Sequence, residues 1–365
     1  MLGVIVASVV VLGGSGFGLK YLDSQAIAPD WTRGADPTWP ASELSGIEPI
    51  PHGWYMVISD DRGEEAPPRF GFVRLDFIAN PATGEPSFRG IGRVDMHPLF
   101  TPEGETFKEN VIDPESIRLL GEEDESRQFL VASEGYAKDG IGPKLYLFDQ
   151  AKGGAPLDVT PPEFEVSEGK GIRHNRGFEA LGVTPDKAWA YTANEEPLIQ
   201  DEASGCVRLI EVDLNAKKAT REFAYKPGPA TLCEKPKQLG LVEMVALDRG
   251  RLLTLERDED GKGGFDGRLY LVDLDGATDV SGHEALDADT SPVTKTLLGT
   301  LSETGAPSAN YEGFCLGPKF ATGQLVILVS DGDTEADRAA RFTLLMLSGD
   351  LEGANESSDE HAGQP

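Results

Sequence analysis

Acidic residues recur along this chain at a spacing able to gather carboxylates in one place. Asp113-Pro114-Glu115-Ser116-Ile117 leads to Ser133-Glu134-Gly135, and Gly177-Phe178-Glu179-Ala180-Leu181 leads to Asn194-Glu195-Glu196-Pro197. Val242-Glu243-Met244-Val245 leads to Leu255-Glu256-Arg257, and Tyr311-Glu312-Gly313-Phe314 leads to Val329-Ser330-Asp331. In each copy an acid opens a strand-like run, and a second run ends on another acid 13 to 19 residues later. Four degenerate copies of acid–strand–turn–strand–acid indicate a repeat architecture whose equivalent positions face a common axis. Carboxylates brought together repel one another, so they either take up protons or bind cations. Calcium suits them, because it accepts six to eight hard oxygens in a tolerant geometry. Glu115, Glu134, Glu179, Glu195, Glu256 and Glu312, with Asp60 and Asp331, are the expected funnel lining. Arg62 and Arg257 each neighbour such an acid and could orient an anion. The competing role for the acids is to tie down turns by accepting backbone N–H groups, and for the arginines simple ion pairing.

Two further acidic stretches have oxygens at alternate positions. Asp258-Glu259-Asp260-Gly261-Lys262-Gly263-Gly264-Phe265-Asp266 resembles a calcium loop but has Leu269 where an EF-hand carries its bidentate Glu. Asp331-Gly332-Asp333-Thr334-Glu335-Ala336-Asp337 has the same character. Exposed acidic hairpin turns are the plainer expectation for both. Other chemistries find no support. The five histidines (His52, His97, His174, His283 and His361) form no H-E-x-x-H, and neither G-x-S-x-G nor a P-loop occurs.

The elements that must position these residues are short strands. Among 365 residues, 43 Gly and 25 Pro are spread along the chain, and long amphipathic helical runs are absent. Strand-like runs pair across acidic or Gly-containing connections: Trp54–Ser59 with Phe70–Phe77, Gln128–Ser133 with Lys144–Phe148, and Ala188–Ala193 with Val207–Asp213. Arg251–Glu256 with Arg268–Asp273 and Leu325–Ser330 with Phe342–Leu347 complete the series. Repeated meanders of this kind predict an all-β β-propeller, in which radial repetition hides most sheet edges. Dividing some 320 folded residues by about 40–55 per blade permits six or seven blades, and six is favoured.

The formal net charge of −29 excludes nucleic acids and anionic membranes as partners, and most of it must be a solvated surface. The apolar run Leu2 to Leu12 has the length of a signal-peptide core and falls short of a bilayer span, although the first Lys is Lys20. Residues 1–30 are therefore read as a signal peptide or N-terminal apolar segment, a buried first strand being the alternative. The reading implies export to the periplasm or medium, with a monomer as the simplest assembly. The tail 350–365, rich in Glu, Ser, Gly and Asn, reads as disordered. Cys206, Cys233 and Cys315 lack C-x-x-C spacing. Cys206 and Cys233 either form a disulfide or remain thiols, and Cys315 reads as core.

Asn175-Arg176-Gly177-Phe178-Glu179-Ala180-Leu181-Gly182-Val183-Thr184-Pro185-Asp186 resembles the N-x-G-F-E-G-L-A-x-x-P-D segment of the phytase-like ("esterase-like activity of phytase") family of exported bacterial proteins. Leu44-Ser45-Gly46-Ile47, Ser59-Asp60-Asp61-Arg62-Gly63, Asp113 to Arg118, Ser133-Glu134-Gly135 and Pro197 to Asp201 agree in order. So do Leu255-Glu256-Arg257 and Asn310 to Phe314 with Ser330-Asp331. The likeness spans residues 40–348. Ala180 departs from a preferred Gly, and Gly332-Asp333 departs from a common Asp-Asn pair. The resemblance implies a propeller that hydrolyses phosphate or carboxylic esters of small molecules. On that reading Glu134, Glu179, Glu312 and His174 are catalytic candidates, and Arg62, Arg257 and Asn175 contact substrate. Asp60, Glu115, Glu195, Glu256 and Asp331 then hold calcium, with metal-assisted attack by water as the chemistry. A non-catalytic, calcium-stabilised propeller that binds a ligand or protein through its acidic face is the alternative.

Overall fold

The computed structural model describes residues 11–12, 16–33, 39–123, 126–332 and 339–351. Its strands form five antiparallel sheets arranged as propeller blades. In chain order the innermost strands are Leu44–Ile50, Pro114–Glu123, Phe178–Val183, Gln238–Ala246 and Tyr311–Phe320, opening blades I to V. Each innermost strand packs on the innermost strands of its two neighbours, which closes the ring around the axis. The blade count is therefore five and not the expected six. Innermost strands begin at residues 44, 114, 178, 238 and 311, so each blade takes more chain than the 40–55 residues assumed. Long loops such as 99–113, 226–237 and 274–293 use the difference.

The ten runs read from the sequence are the second and third strands of the five blades, two per blade. They were the easiest to see because both of their faces are covered by neighbouring blades, so they read as nearly continuous apolar runs. Val207–Asp213, for example, is buried at every position but the last. Outermost strands carry the weaker signal: Lys218–Tyr225 alternates exposed and half-buried residues over its first four positions. Pro86 opens the outer strand of blade I, where a missing N–H costs no ladder bond.

Blade V closes the ring by joining chain ends. Gly18–Ile27 pairs antiparallel with Ala340–Ser348, from Gly18 opposite Ser348 to Ile27 opposite Ala340. The propeller thus draws in residues from 18 onward, part of the segment assigned to a leader. Residues 1–10 of the apolar run, 333–338 of the second acidic loop and the tail from 352 lie outside the described residues. Among the described residues no helix is long and apolar enough to cross a membrane.

An acidic bowl at one end of the propeller axis

The five innermost strands share one irregularity near their start. Register slips between Leu44 and Gly46, Pro114 and Ser116, Phe178 and Ala180, Leu241 and Glu243, and Tyr311 and Gly313. The bulged residues are Ser45, Glu115, Glu179, Val242 and Glu312. A bulge re-aims a side chain out of the ladder, and here it turns equivalent side chains toward the same end of the axis. In four blades the second strand ends at that level too, while that of blade IV, Arg251–Glu259, runs past it. The residues that follow the four are Asp60, Glu134, Glu195 and Asp331, with Arg257 as the counterpart in blade IV. The acids are fixed by a repeated backbone bond: Asp60 N–H donates to Glu43 O at 2.9 Å, Glu134 to Asp113 O at 2.9 Å, Glu195 to Gly177 O at 2.9 Å and Asp331 to Asn310 O at 3.1 Å.

Six of these positions, Asp60, Glu115, Glu179, Arg257, Glu312 and Asp331, line a cavity of about 790 Å³ whose walls also include Asn175, Arg176 and Lys237. A smaller adjoining cavity of about 240 Å³ is lined by Asp60, Arg62, Asp113, Glu115 and Asn175. Three carboxylate groups form within the bowl: Asp60 with Glu312 and Asp331, Asp113 with Glu115 and Glu134, and Glu134 with Glu179 and Glu195. In each, one oxygen per residue lies within 4.8 Å of the others. Glu134 and Glu195 are wholly buried; Oε2 of Glu195 is ion-paired with Arg176 Nη1 at 3.3 Å, yet Oε2 of Glu134 accepts no hydrogen bond. Buried polar atoms are almost always satisfied, and a carboxylate left bare among other carboxylates is the donor set that hard cations take.

The electrostatics follow from this crowding. Burial, and then the Asp331 and Glu312 carboxylates, push the Asp60 carboxyl well above its ordinary range. Burial and Glu179 do the same to Glu115, burial and Asp113 to Glu134, and burial and Glu195 to Glu179. Asp113 is pushed up to about 7 and Asp331 to about 8, each chiefly by burial. For Asp113, Arg62 opposes the rise; for Asp331, Glu312 adds to it.

Most of the residues expected from sequence therefore meet, and three do not behave as expected. Glu256 is wholly buried away from the cavity, accepting from Gly228 N–H at 2.8 Å and Tyr225 Oη at 2.6 Å and pairing with Lys295. A one-residue step along a strand reverses the side-chain direction, so Arg257, not Glu256, continues the ring. Glu243 is displaced in the same way. It ties three inner strands together across the axis, accepting from Ser116 Oγ at 2.8 Å, Leu181 N–H at 3.1 Å and Arg118 Nη2 at 2.9 Å. His174 lines neither cavity and sits edge-on to Tyr136, ring centres 4.9 Å apart. Burial, with Lys138 and the nearby arginines, lowers its pKa.

Arg257 is buried in ion pairs with Glu195 at 2.9 Å and with Glu312. Arg62 donates to Asn175 Oδ1 at 3.1 Å and lies over the Tyr136 ring. Asn175 itself has a positive φ of 58°, a left-handed turn that Asn tolerates. Asp258 and Asp266 face each other across a hairpin and are bridged by Thr231 Oγ1 at 3.1 and 2.7 Å, while Asp260 accepts the turn N–H groups of Lys262 and Gly264. That stretch is a hairpin turn whose carboxylates take up these hydrogen bonds. The three cysteines are free thiols. Asp113, Arg176 and Asn310 also belong to the bowl and were not singled out; the signal was their place at or next to the residue two before each bulge.

The pattern of the phytase-like family, described as esterase-like activity of phytase, matches residues 40–334. The chain belongs to the phytase-like family. No curated protein matches it. Solved structures similar to this phytase-like chain include the Dos1 propeller, at 10% identity over 84% of this chain and 68% of that one, with a TM-score of 0.37. A putative glycosidase from Bacteroides thetaiotaomicron is 9% identical over 83% and 86% of the two chains, TM-score 0.42. A thermostable family-43 glycoside hydrolase is 8% identical over 89% and 96%, TM-score 0.41. At that distance none of the three bears on activity.

Proposed function

We propose that this phytase-like propeller is an exported, calcium-dependent hydrolase of small phosphate esters, with carboxylic esters as the second substrate class. The observation that carries the reading is the crowding of three carboxylate groups beside one open cavity, with a bare oxygen on the buried Glu134. The donor set fits calcium: all oxygen, anionic and arranged without the strict octahedron that magnesium demands. Glu115, Glu134, Glu195, Asp60 and Asp331 would hold the ion, together with Asp113. Calcium bound there would neutralise the negative charge of an ester and its leaving group.

The chain's own residues divide the remaining work. Arg176 and Lys237 on the cavity wall, and Arg62 with Asn175 beside it, are placed to meet ester oxygens. Glu179 and Glu312 line the same cavity and are the candidate bases for the attacking water. His174 has no place in this scheme, because it does not line the cavity.

A second reading, a calcium-stabilised propeller that binds a ligand without turning it over, is favoured by one observation. The cations of the bowl are already paired, Arg176 with Glu195 and Glu196, Lys237 with Glu259, and Arg257 with Glu195 and Glu312. Assays with p-nitrophenyl phosphate, p-nitrophenyl acetate and phytate, each with calcium and with chelator, separate the two. Calcium-dependent release of phosphate is the expected result. Inactivity on all three with calcium present contradicts the hydrolase and leaves the binding reading.

A further inference from the structure

Arg257 occupies, in blade IV, the position that carries an acid in every other blade. Its counterparts are Asp60, Glu134, Glu195 and Asp331, each the residue after the second strand's last pairing with a bulged inner strand. The bulge of blade IV carries Val242 and that of blade I Ser45, so neither has an acid there. At the second-strand position the charge is inverted in blade IV alone.

The arginine is not a rim group. It is 4% exposed, and its guanidinium reaches into the bowl between two acids of different carboxylate groups. Nη2 donates to Glu195 Oε1 at 2.9 Å, and Nη1 donates to Glu312 Oε1 and, at 2.6 Å, to Asn310 Oδ1. Glu195 belongs to the group with Glu134 and Glu179, and Glu312 to the group with Asp60 and Asp331. The three carboxylate groups run from blade V through blades I and II to blade III. The remaining gap in the ring, from blade III across blade IV to blade V, is the one Arg257 spans. Oε2 of Glu312 still accepts no hydrogen bond and so retains an oxygen for a second cation, while Oε2 of Glu195 is ion-paired with Arg176 Nη1 at 3.3 Å.

We infer that Arg257 is a tethered cation standing in for a metal ion, and that it sets how many divalent cations the bowl holds. This rests on the calcium reading above. A fixed guanidinium delivers one positive charge to Glu195 and Glu312 at the cost of no ion from solution, and its planar fork fits two carboxylates at once. It leaves the divalent ions to the opposite arc of the ring. Removing it exposes a pair of buried acids with an extra unit of negative charge, which is a new cation site. Arg257 is in this view a positioning residue and not a substrate contact.

The test compares calcium stoichiometry by isothermal titration in the wild type, Arg257→Gln and Arg257→Lys, each purified as a folded monodisperse chain. The Gln variant is expected to bind one more calcium than the wild type, and the Lys variant, which keeps a fixed charge, the wild-type number. Equal numbers in wild type and Gln variant overturn the inference while the calcium reading stands. A wild type that binds none overturns the calcium reading; a Gln variant that then binds one still supports the tethered cation, and one that also binds none removes both. Crystals of the wild type soaked in terbium decide the matter if the Gln variant does not fold. Peaks are expected beside Glu134 and in the Asp60 group and none between Glu195 and Glu312. A peak between those two, with Arg257 swung out, overturns the inference.

Discussion

In chelator, the folded chain is expected to lose stability steadily as the pH rises from about 4 to about 8, and saturating calcium is expected to abolish most of that loss. The sign follows from the bowl's carboxyls. Asp60, Glu115, Glu134, Glu179 and Glu312 are all raised in the folded chain, and Asp113 and Asp331 reach about 7 and about 8. In the unfolded chain they titrate near about 4. The folded state therefore binds more protons than the unfolded state between those limits. Their stabilising contribution is complete below the unfolded pKa and is lost as pH rises through the folded values. A tenfold difference in proton affinity between the two states corresponds to about 1.4 kcal/mol, so these groups together amount to several kcal/mol. That is comparable with the whole stability of an ordinary domain, about 5–15 kcal/mol. A fall in melting temperature of roughly 10 °C or more across this range is expected in chelator. Calcium competes with the same protons, so its stabilising effect should grow with pH. A melting temperature that is flat with pH in chelator contradicts the packing of ionisable acids described above.

The second large effect is expected from Gly177→Ala. A Cβ at this position lies 1.8 Å from Glu134 O and 2.7 Å from Glu134 C, and both are backbone atoms that cannot rotate away. Gly177 also donates its N–H to Glu134 Oε1 at 3.2 Å and accepts the N–H of Glu195 through its carbonyl. One methyl group therefore pushes apart the loops that carry Glu134, Glu179 and Glu195. The loss is expected to be about 3 kcal/mol or more, the upper end of overpacking costs, with calcium affinity lowered in the fraction that folds. Gly90→Ala is the control: no atom lies within 4 Å of its Cβ, so urea denaturation should show a small change. Similar midpoints for the two variants contradict the close approach.

Much of this architecture was legible in the residues themselves. The ten apolar runs pair into five hairpins and so carry the blade number; the expectation of six rests on a blade size of about 40–55 residues, which these blades exceed. Two features hid the count. The loops are long, and the last blade is finished by Gly18–Ile27 from the other end of the chain, a pairing that no local pattern announces. In the site, the acids of blades II, III and V were found because Glu115, Glu179 and Glu312 sit at bulges and their partners follow the second strand.

Blade IV misled for a specific reason. Acids flank the correct positions on the wrong side, with Glu243 after the bulged Val242 and Glu256 before Arg257. Spacing alone cannot tell neighbouring residues apart, whereas in a strand they face opposite ways. The small residues told a parallel story. Ala180 stands where the family prefers Gly, and it is equivalent to Gly46 and Gly313, whose Cβ atoms would meet backbone oxygens at 3.0 and 2.4 Å. Ala180 itself is wholly buried in the core shared by blades III and IV.

Calcium titration of the chelator-stripped chain at pH 8, read by heat and by melting temperature, tests the bowl most directly. Saturable binding with a rise in melting temperature is predicted for the wild type and for Glu256→Gln, which lies outside the bowl. The rise should be lost in Glu134→Gln and Glu179→Ala. No heat and an unchanged melting temperature in the wild type, or a Glu256→Gln variant that alone loses the response, would contradict a cation site at the propeller axis.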